Sequence, residues 1–189
     1  EERNENGKYQ SLRDFIERMS GRELNKRAIE NLIKAGALDQ VAGNRRQKLM
    51  VYAEIVDAVN QEKKNAMTGQ MSLFDIMGEE DKKSFEIRLP DVGEYAKESK
   101  LAFEKEVLGV YISGHPLEEY ADVWKKNITA ATSDFYPMEE SGLPKVRDGA
   151  KVIVGGMITE KTIKYTKNNK VMAFITLEDL VGTVEVVVF

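Results

Sequence analysis

Cysteine is absent from this chain, and histidine and tryptophan occur once each. Without cysteine there are no disulfides and no thiolate metal sites, a pattern that fits a reducing cytosol. A lone His115 lacks the partners that His-based catalysis or metal binding would need, and no cofactor is expected in this segment. No apolar run approaches the roughly 20 residues of a transmembrane span. The first residues, Glu1-Glu2-Arg3-Asn4, have no signal-peptide character, so no membrane partner is expected. A basic excess is also missing. Lys and Arg number 28 against 32 Asp and Glu, a net charge of −4. Any nucleic-acid contact must therefore come from local patches.

What is present suits a charged, soluble globular protein: 189 residues, 42% hydrophobic and 32% charged. That length allows one large domain or two small ones. Residues 1–10 are polar and read as frayed. Ser11 then caps a helix carrying Leu12, Phe15, Ile16 and Met19, with Asp14 near its positive end. Ser20-Gly21-Arg22-Glu23 breaks it. Asn25 caps a second helix with the stripe Ala28, Ile29, Leu32 and Ile33, and Gly36 stands where a left-handed C-cap belongs. Asn44 opens a longer helix with the stripe Leu49, Tyr52, Ala53, Val56 and Val59.

From Gln61 to Ser84 the chain turns polar, too poor in apolar surface to fold by itself. Inside this stretch lies Gln70-Met71-Ser72-Leu73-Phe74. Its apolar side chains need a partner, within the protein or outside it. A glutamine ahead of a Leu-Phe pair has the form of a docking peptide: the amide sets register and the apolar pair fills a pocket. The bland alternative is that Leu73 and Phe74 cap a helical subdomain.

A helix is expected from about Tyr95 to Ile112, with Leu101, Leu108 and Ile112 on one side, stopped by Ser113-Gly114-His115-Pro116. Pro116 suits the start of another helix, in which Tyr120 and Trp124 pack as core. His115 is expected to be structural, bonding a free carbonyl at the turn. Residues 128–150 read as loop. Three strands follow: Val152 to Tyr165, Val171 to Leu177, and Thr183 to Phe189. They are joined by turns at Lys167-Asn168-Asn169-Lys170 and at Asp179–Gly182. Three such strands leave an edge open, which reads as a cut through a larger sheet. The fold class is α+β. The expected division is 1–62 helical hairpins, 63–93 linker, 94–127 helical connector, 128–150 loop and 151–189 partial barrel.

The segment Phe103-Glu104-Lys105-Glu106-Val107-Leu108-Gly109-Val110-Tyr111-Ile112-Ser113-Gly114-His115-Pro116-Leu117 closely resembles a signature of the bacterial DNA polymerase III alpha subunit, the C-family replicative polymerase. Asn25-Lys26-Arg27 through Leu32–Asp39 and Asn44-Arg45 look like the end of that family's tandem helix-hairpin-helix region. Lys170–Phe174, Leu177-Glu178-Asp179 and Gly182–Glu185 look like the first three strands of its OB-fold. The blocks stand in the family's order and span nearly the whole chain.

The resemblance implies that Gln70, Met71, Ser72, Leu73 and Phe74 form the internal sliding-clamp motif, with Met71 where Leu is common. It implies double- and single-stranded DNA and other replicase subunits as further partners, and a cytoplasmic, nucleoid-associated location. The family's catalytic aspartates lie far upstream, and nothing here matches them. Lys26, Arg27, Arg45 and Arg46 become candidate duplex contacts, set against solvated helix faces. Lys26 and Arg27 stand where a helix dipole disfavours cations, which a bound phosphate would reconcile. Lys161, Lys164, Lys167 and Lys170 with Tyr165 become candidate single-strand contacts, with Tyr165 as the stacking residue and Phe174 in the barrel core. The alternatives are an OB-containing adaptor, such as a tRNA anticodon-binding module, and a purely structural interaction domain.

Overall fold

The computed structural model describes residues 2–21, 24–67, 87–139 and 141–189. The chain is α+β and divides into two compact units, Glu1–Ser113 and Gly114–Phe189. That division falls inside the segment 94–127 expected as one connector.

The helical unit begins with α1 (Glu2–Asn6), where the sequence suggested fraying. Glu2 explains the order: its carboxylate meets the Arg18 guanidinium at 2.6 Å, and that guanidinium lies 4.5 Å from the Tyr9 ring centroid. α2 (Leu12–Met19) starts at Ser11, whose hydroxyl accepts the Asp14 N–H. α3 (Lys26–Lys34) starts at Asn25, whose side chain accepts the Ala28 N–H. Leu12, Phe15 and Ile16 pack with Ile29 and Ile33 and with Val51, Ile55, Val56 and Val59 of α4 (Arg45–Met67). Each such side chain contributes about 1.5–3 kcal/mol when fully buried.

Two expectations about this unit need correction. The buried stripe of α4 runs through Arg45, Lys48, Val51, Ile55, Val56 and Val59; Val56 and Val59 lie where expected, while Leu49, Tyr52 and Ala53 are half-buried. Two charged residues continue the apolar row, which disguised its phase. The helix expected to reach Ile112 is α5 (Lys97–Leu108), closed by Gly109 in the left-handed conformation (φ 76°). Leu101 is buried, but Leu108 and Ile112 are exposed, Ile112 by 65%.

The partner that Leu101 shares its buried face with is Glu104, wholly inaccessible to solvent. One carboxylate oxygen accepts from Arg45 at 3.0 Å. The other accepts the N–H groups of Ile112 at 2.7 Å and Ser113 at 2.8 Å. Burial alone would raise its pKa. The hydrogen bonds from Ser113, Ile112 and Arg45 outweigh burial and hold it at about 2. Arg45 also grips Asp39 at 2.7 Å and the Lys34 carbonyl at 3.1 Å. Gly36 (φ 78°) lies so close under this guanidinium that a Cβ there would collide with it. Lys48, also fully buried, donates to the Leu38 carbonyl at 2.8 Å. Desolvation pushes its pKa down.

The second unit contains α6 (Ala121–Asn127), preceded by a 3-10 turn at Glu118–Tyr120, and another 3-10 turn at Thr132–Phe135. Tyr120 is exposed rather than core. Trp124 is half-buried and donates to the Gly155 carbonyl at 2.6 Å. His115 accepts the Leu117 N–H at Nδ1, 3.1 Å. β1 (Met157–Tyr165), β2 (Val171–Glu178) and β3 (Thr183–Val188) form an antiparallel sheet in the order β1-β2-β3. Asn169 supplies the positive φ (56°) of the first turn. The buried Asp179 organises the second, accepting from Val181 and Gly182 N–H, and also from the backbone and hydroxyl of Thr132.

The register gives the sheet two unlike faces. Thr162 opposes Phe174, Lys164 opposes Met172, and Thr176 opposes Glu185. The other face pairs Ile163 with Ala173, Tyr165 with Val171, and Ile175 with Val186. One face is mixed polar and the other nearly all apolar, the alternation of a sheet built to pack on one side.

Replacing Glu104 with Gln should cost about 3 kcal/mol, because Arg45 then keeps a buried charge with Asp39 alone. Because the folded pKa is depressed, the native stabilisation is complete above the ordinary value of 4.5. It is lost as pH falls toward about 2. Urea unfolding of wild type and Glu104→Gln from pH 7 to 2.5 checks this: the two curves should converge on acidification.

Candidate nucleic-acid interface

At the α2–α3 hairpin the chain turns at Ser20 and Gly21 (φ 100°). The two helix ends are satisfied from opposite sides. Lys63 of α4 donates to the carbonyls of Glu17 and Ser20 and to the Ser20 hydroxyl, and Asn25 caps α3. Lys63 falls in the stretch expected as linker, and folding brings it to the hairpin from more than forty residues away in the chain. Its ammonium is spent on carbonyls.

 The sequence offered no signal for that role, because the contact joins residues far apart in the chain.

The four expected duplex contacts separate into different environments. Lys26 is exposed and paired with Asp57 at 2.6 Å. Arg27 is exposed on the first turn of α3. Arg46 is exposed, with its guanidinium 5.9 Å from the Tyr95 ring centroid. Arg45 is the correction: it is 3% exposed and committed to Asp39 and Glu104, so it is a structural cation with no surface to offer a phosphate. Its neighbour in sequence points outward because adjacent residues of a helix lie about 100° apart.

On the sheet, Lys161, Lys164, Tyr165, Lys167 and Lys170 are all exposed. The register does not bring them to one face. Lys164 belongs to the polar face and lies 4.9 Å from the Phe174 ring centroid. Tyr165, 72% exposed, belongs to the apolar face, as does Lys161. Lys167 and Lys170 flank the turn, held by the Thr166 N–H to Lys170 carbonyl bond at 2.8 Å. Phe174, expected in a barrel core, therefore stands on the polar side. Gln70, Met71, Ser72, Leu73 and Phe74 lie outside the described residues. Among the described residues, no group of three or more His, Asp or Glu side chains is placed to hold a metal ion. No described helix is long and apolar enough to cross a membrane.

The model of a helix-hairpin-helix motif family matches residues 1–48, which contain α2, the hairpin and α3. DNA polymerase III subunit alpha of Borreliella burgdorferi is 34% identical over 189 residues, covering all of this chain and 16% of the relative. The subunit of Mycobacterium tuberculosis H37Rv is 35% identical over 198 residues, covering 99% of this chain and 16% of the relative. That of Thermus aquaticus is 33% identical over 193 residues, covering 100% of this chain and 14% of the relative. The chain thus spans about one sixth of the length of these relatives. From end to end, it is similar to one segment of the bacterial DNA polymerase III alpha subunit.

Proposed function

We propose that this chain is a non-catalytic segment of a replicative DNA polymerase alpha subunit, binding the sliding clamp and DNA so that synthesis is processive. The observation that carries this reading is the end-to-end match to polymerase subunits, at 34% identity in the first of the relatives above. Nucleotidyl transfer belongs to another part of such an enzyme. Retention on the template raises the number of steps per binding event without altering chemistry at the active site. The location is cytoplasmic and nucleoid-associated, and other replicase subunits are further partners.

Clamp docking rests on Gln70-Met71-Ser72-Leu73-Phe74. Burying Leu73 and Phe74 contributes about 1.5–3 kcal/mol each, and ordering the peptide offsets part of it. A weak peptide suffices, because attachment to DNA-bound polymerase raises its effective concentration. DNA contact rests on the helix-hairpin-helix match and on the exposed cations Arg27 and Arg46. Lys26 would have to exchange Asp57 for a phosphate. The lysines about the first sheet turn would meet a single strand, in the manner of an OB-fold.

The double substitution Leu73→Ala and Phe74→Ala should abolish clamp binding in a surface-plasmon-resonance titration; undiminished binding would overturn the docking assignment. Arg27→Gln should weaken duplex binding and lower the slope of log affinity against log salt by about 1. Arg45→Gln should instead lower the unfolding midpoint. Fluorescence anisotropy across a salt series, paired with thermal melts, separates the two effects.

A further inference from the structure

We infer that the turn between α2 and α3 is a cation site whose occupant is the chain's own Lys63 ammonium, and that this internal cation holds the hairpin in its duplex-binding form. The inference rests on the reading of the hairpin as a duplex contact, and it assigns Lys63 as a positioning residue for that contact.

The chemistry begins at the end of α2. A helix leaves its last carbonyls without internal partners, and its dipole makes that end negative. Two oxygens at that end, the Glu17 and Ser20 carbonyls, accept from Lys63 at 3.2 and 3.1 Å. The Ser20 hydroxyl donates to the Glu17 carbonyl at 2.9 Å and itself accepts from Lys63. An ammonium has three donors, and three oxygens of one turn meet them. Among the described residues, every partner of the Lys63 ammonium is an uncharged oxygen. A lysine in an ordinary surface ion pair faces a carboxylate, as Lys26 faces Asp57. Neutral oxygens converging on one point are instead the ligand set that replaces the hydration shell of a monovalent cation.

The fold delivers this ammonium along a fixed line. Val59 is 1% exposed, and Lys63 stands one turn further along the same face of α4. The buried row of the helix therefore ends in a charge at the end of α2. Other residues of α4 tie it to both helices: Glu62 pairs with Arg13 of α2 at 2.6 Å, and Asp57 with Lys26 of α3 at 2.6 Å. Arg13 also holds the Glu17 carboxylate at 2.6 Å, so the side chain of Glu17 is engaged by one cation and its carbonyl by another. α4 is a splint across the hairpin, and Lys63 is its contact with the turn itself. α3 opens beyond that turn with Lys26 and Arg27, so the placing of Arg27 depends on where α2 is made to stop. The lysine stem gives its ammonium a local concentration that dissolved ions do not match. Removing the ammonium opens the same oxygens to a small cation from solution.

The test measures duplex affinity of the full-length subunit containing this chain by fluorescence anisotropy, in potassium chloride and in tetramethylammonium chloride of equal ionic strength. Tetramethylammonium carries the same charge but is too bulky to sit among three converging oxygens. Lys63→Met keeps the stem and removes the charge. In tetramethylammonium it should bind about fivefold more weakly than wild type, the scale of one exposed hydrogen bond. In potassium the two proteins should agree within about twofold. An equal deficit in both salts, or none in either, would overturn the inference. Hydrogen exchange reads the site without DNA. The Met19 and Ser20 amides of Lys63→Met should exchange faster than in wild type in tetramethylammonium and at the wild-type rate in potassium; a rate indifferent to the cation would overturn the cation site. Arg27→Gln, measured beside it, separates this inference from the reading beneath it. Weaker binding by Arg27→Gln with Lys63→Met at the wild-type level in both salts overturns the inference alone. Wild-type affinity for both variants overturns the duplex reading with it.

Discussion

The helical unit depends on one buried ion pair, Arg45 with Glu104. Neither charge could be buried alone without a penalty of several kcal/mol. Together, and with every nearby polar group recruited, they become a junction. Arg45 reaches the Lys34 carbonyl at the end of α3 and the Asp39 carboxylate after it. Glu104 reaches the N–H groups of Ile112 and Ser113 beyond α5. A single pair of side chains thereby joins the end of α3, the start of α4, α5 and the turn that follows. Gly36 belongs to the same junction, because its missing Cβ is the space the guanidinium occupies. Apolar packing around Ile29, Ile33 and Val51 supplies bulk stabilisation. The ion pair supplies direction, since hydrogen bonds fix geometry that non-directional burial leaves free.

Much of this architecture was legible from local patterns. Ser11 and Asn25 cap the helices expected of them, Gly36 takes the left-handed conformation, and Asn169 supplies the tight turn. Such signals act over three or four residues, so sequence spacing carries them. What failed was long-range. Glu2 orders the first helix by meeting Arg18, and Lys63 closes the hairpin from a helix that begins two dozen residues later. Arg45 and Lys48 sit in the buried row of α4, where a rule that places charge outside shifts the phase of the whole stripe. Gly109 stops α5 although apolar residues continue after it, and Leu108 and Ile112 lie on the surface.

The candidate site followed the same division. Which cations are present was visible from the start, but which of them are available was not. Availability depends on partners brought by folding: Asp57 for Lys26, Asp39 and Glu104 for Arg45. On the sheet, alternation sorts residues reliably only once the register is known, since a shift of one residue exchanges the faces. Tyr165 and Lys164 are neighbours in sequence and belong to opposite surfaces.

The length of α4 has a consequence for the docking pentapeptide. The helix stays ordered to Met67, well past the expected boundary at residue 62, and Ile87 is again packed against the core of the same unit. The polar stretch that carries the pentapeptide is thus anchored covalently at both ends to the helical unit. In the proposed docking, a bound clamp would be held from both ends of that stretch by the same unit that carries the helix-hairpin-helix match.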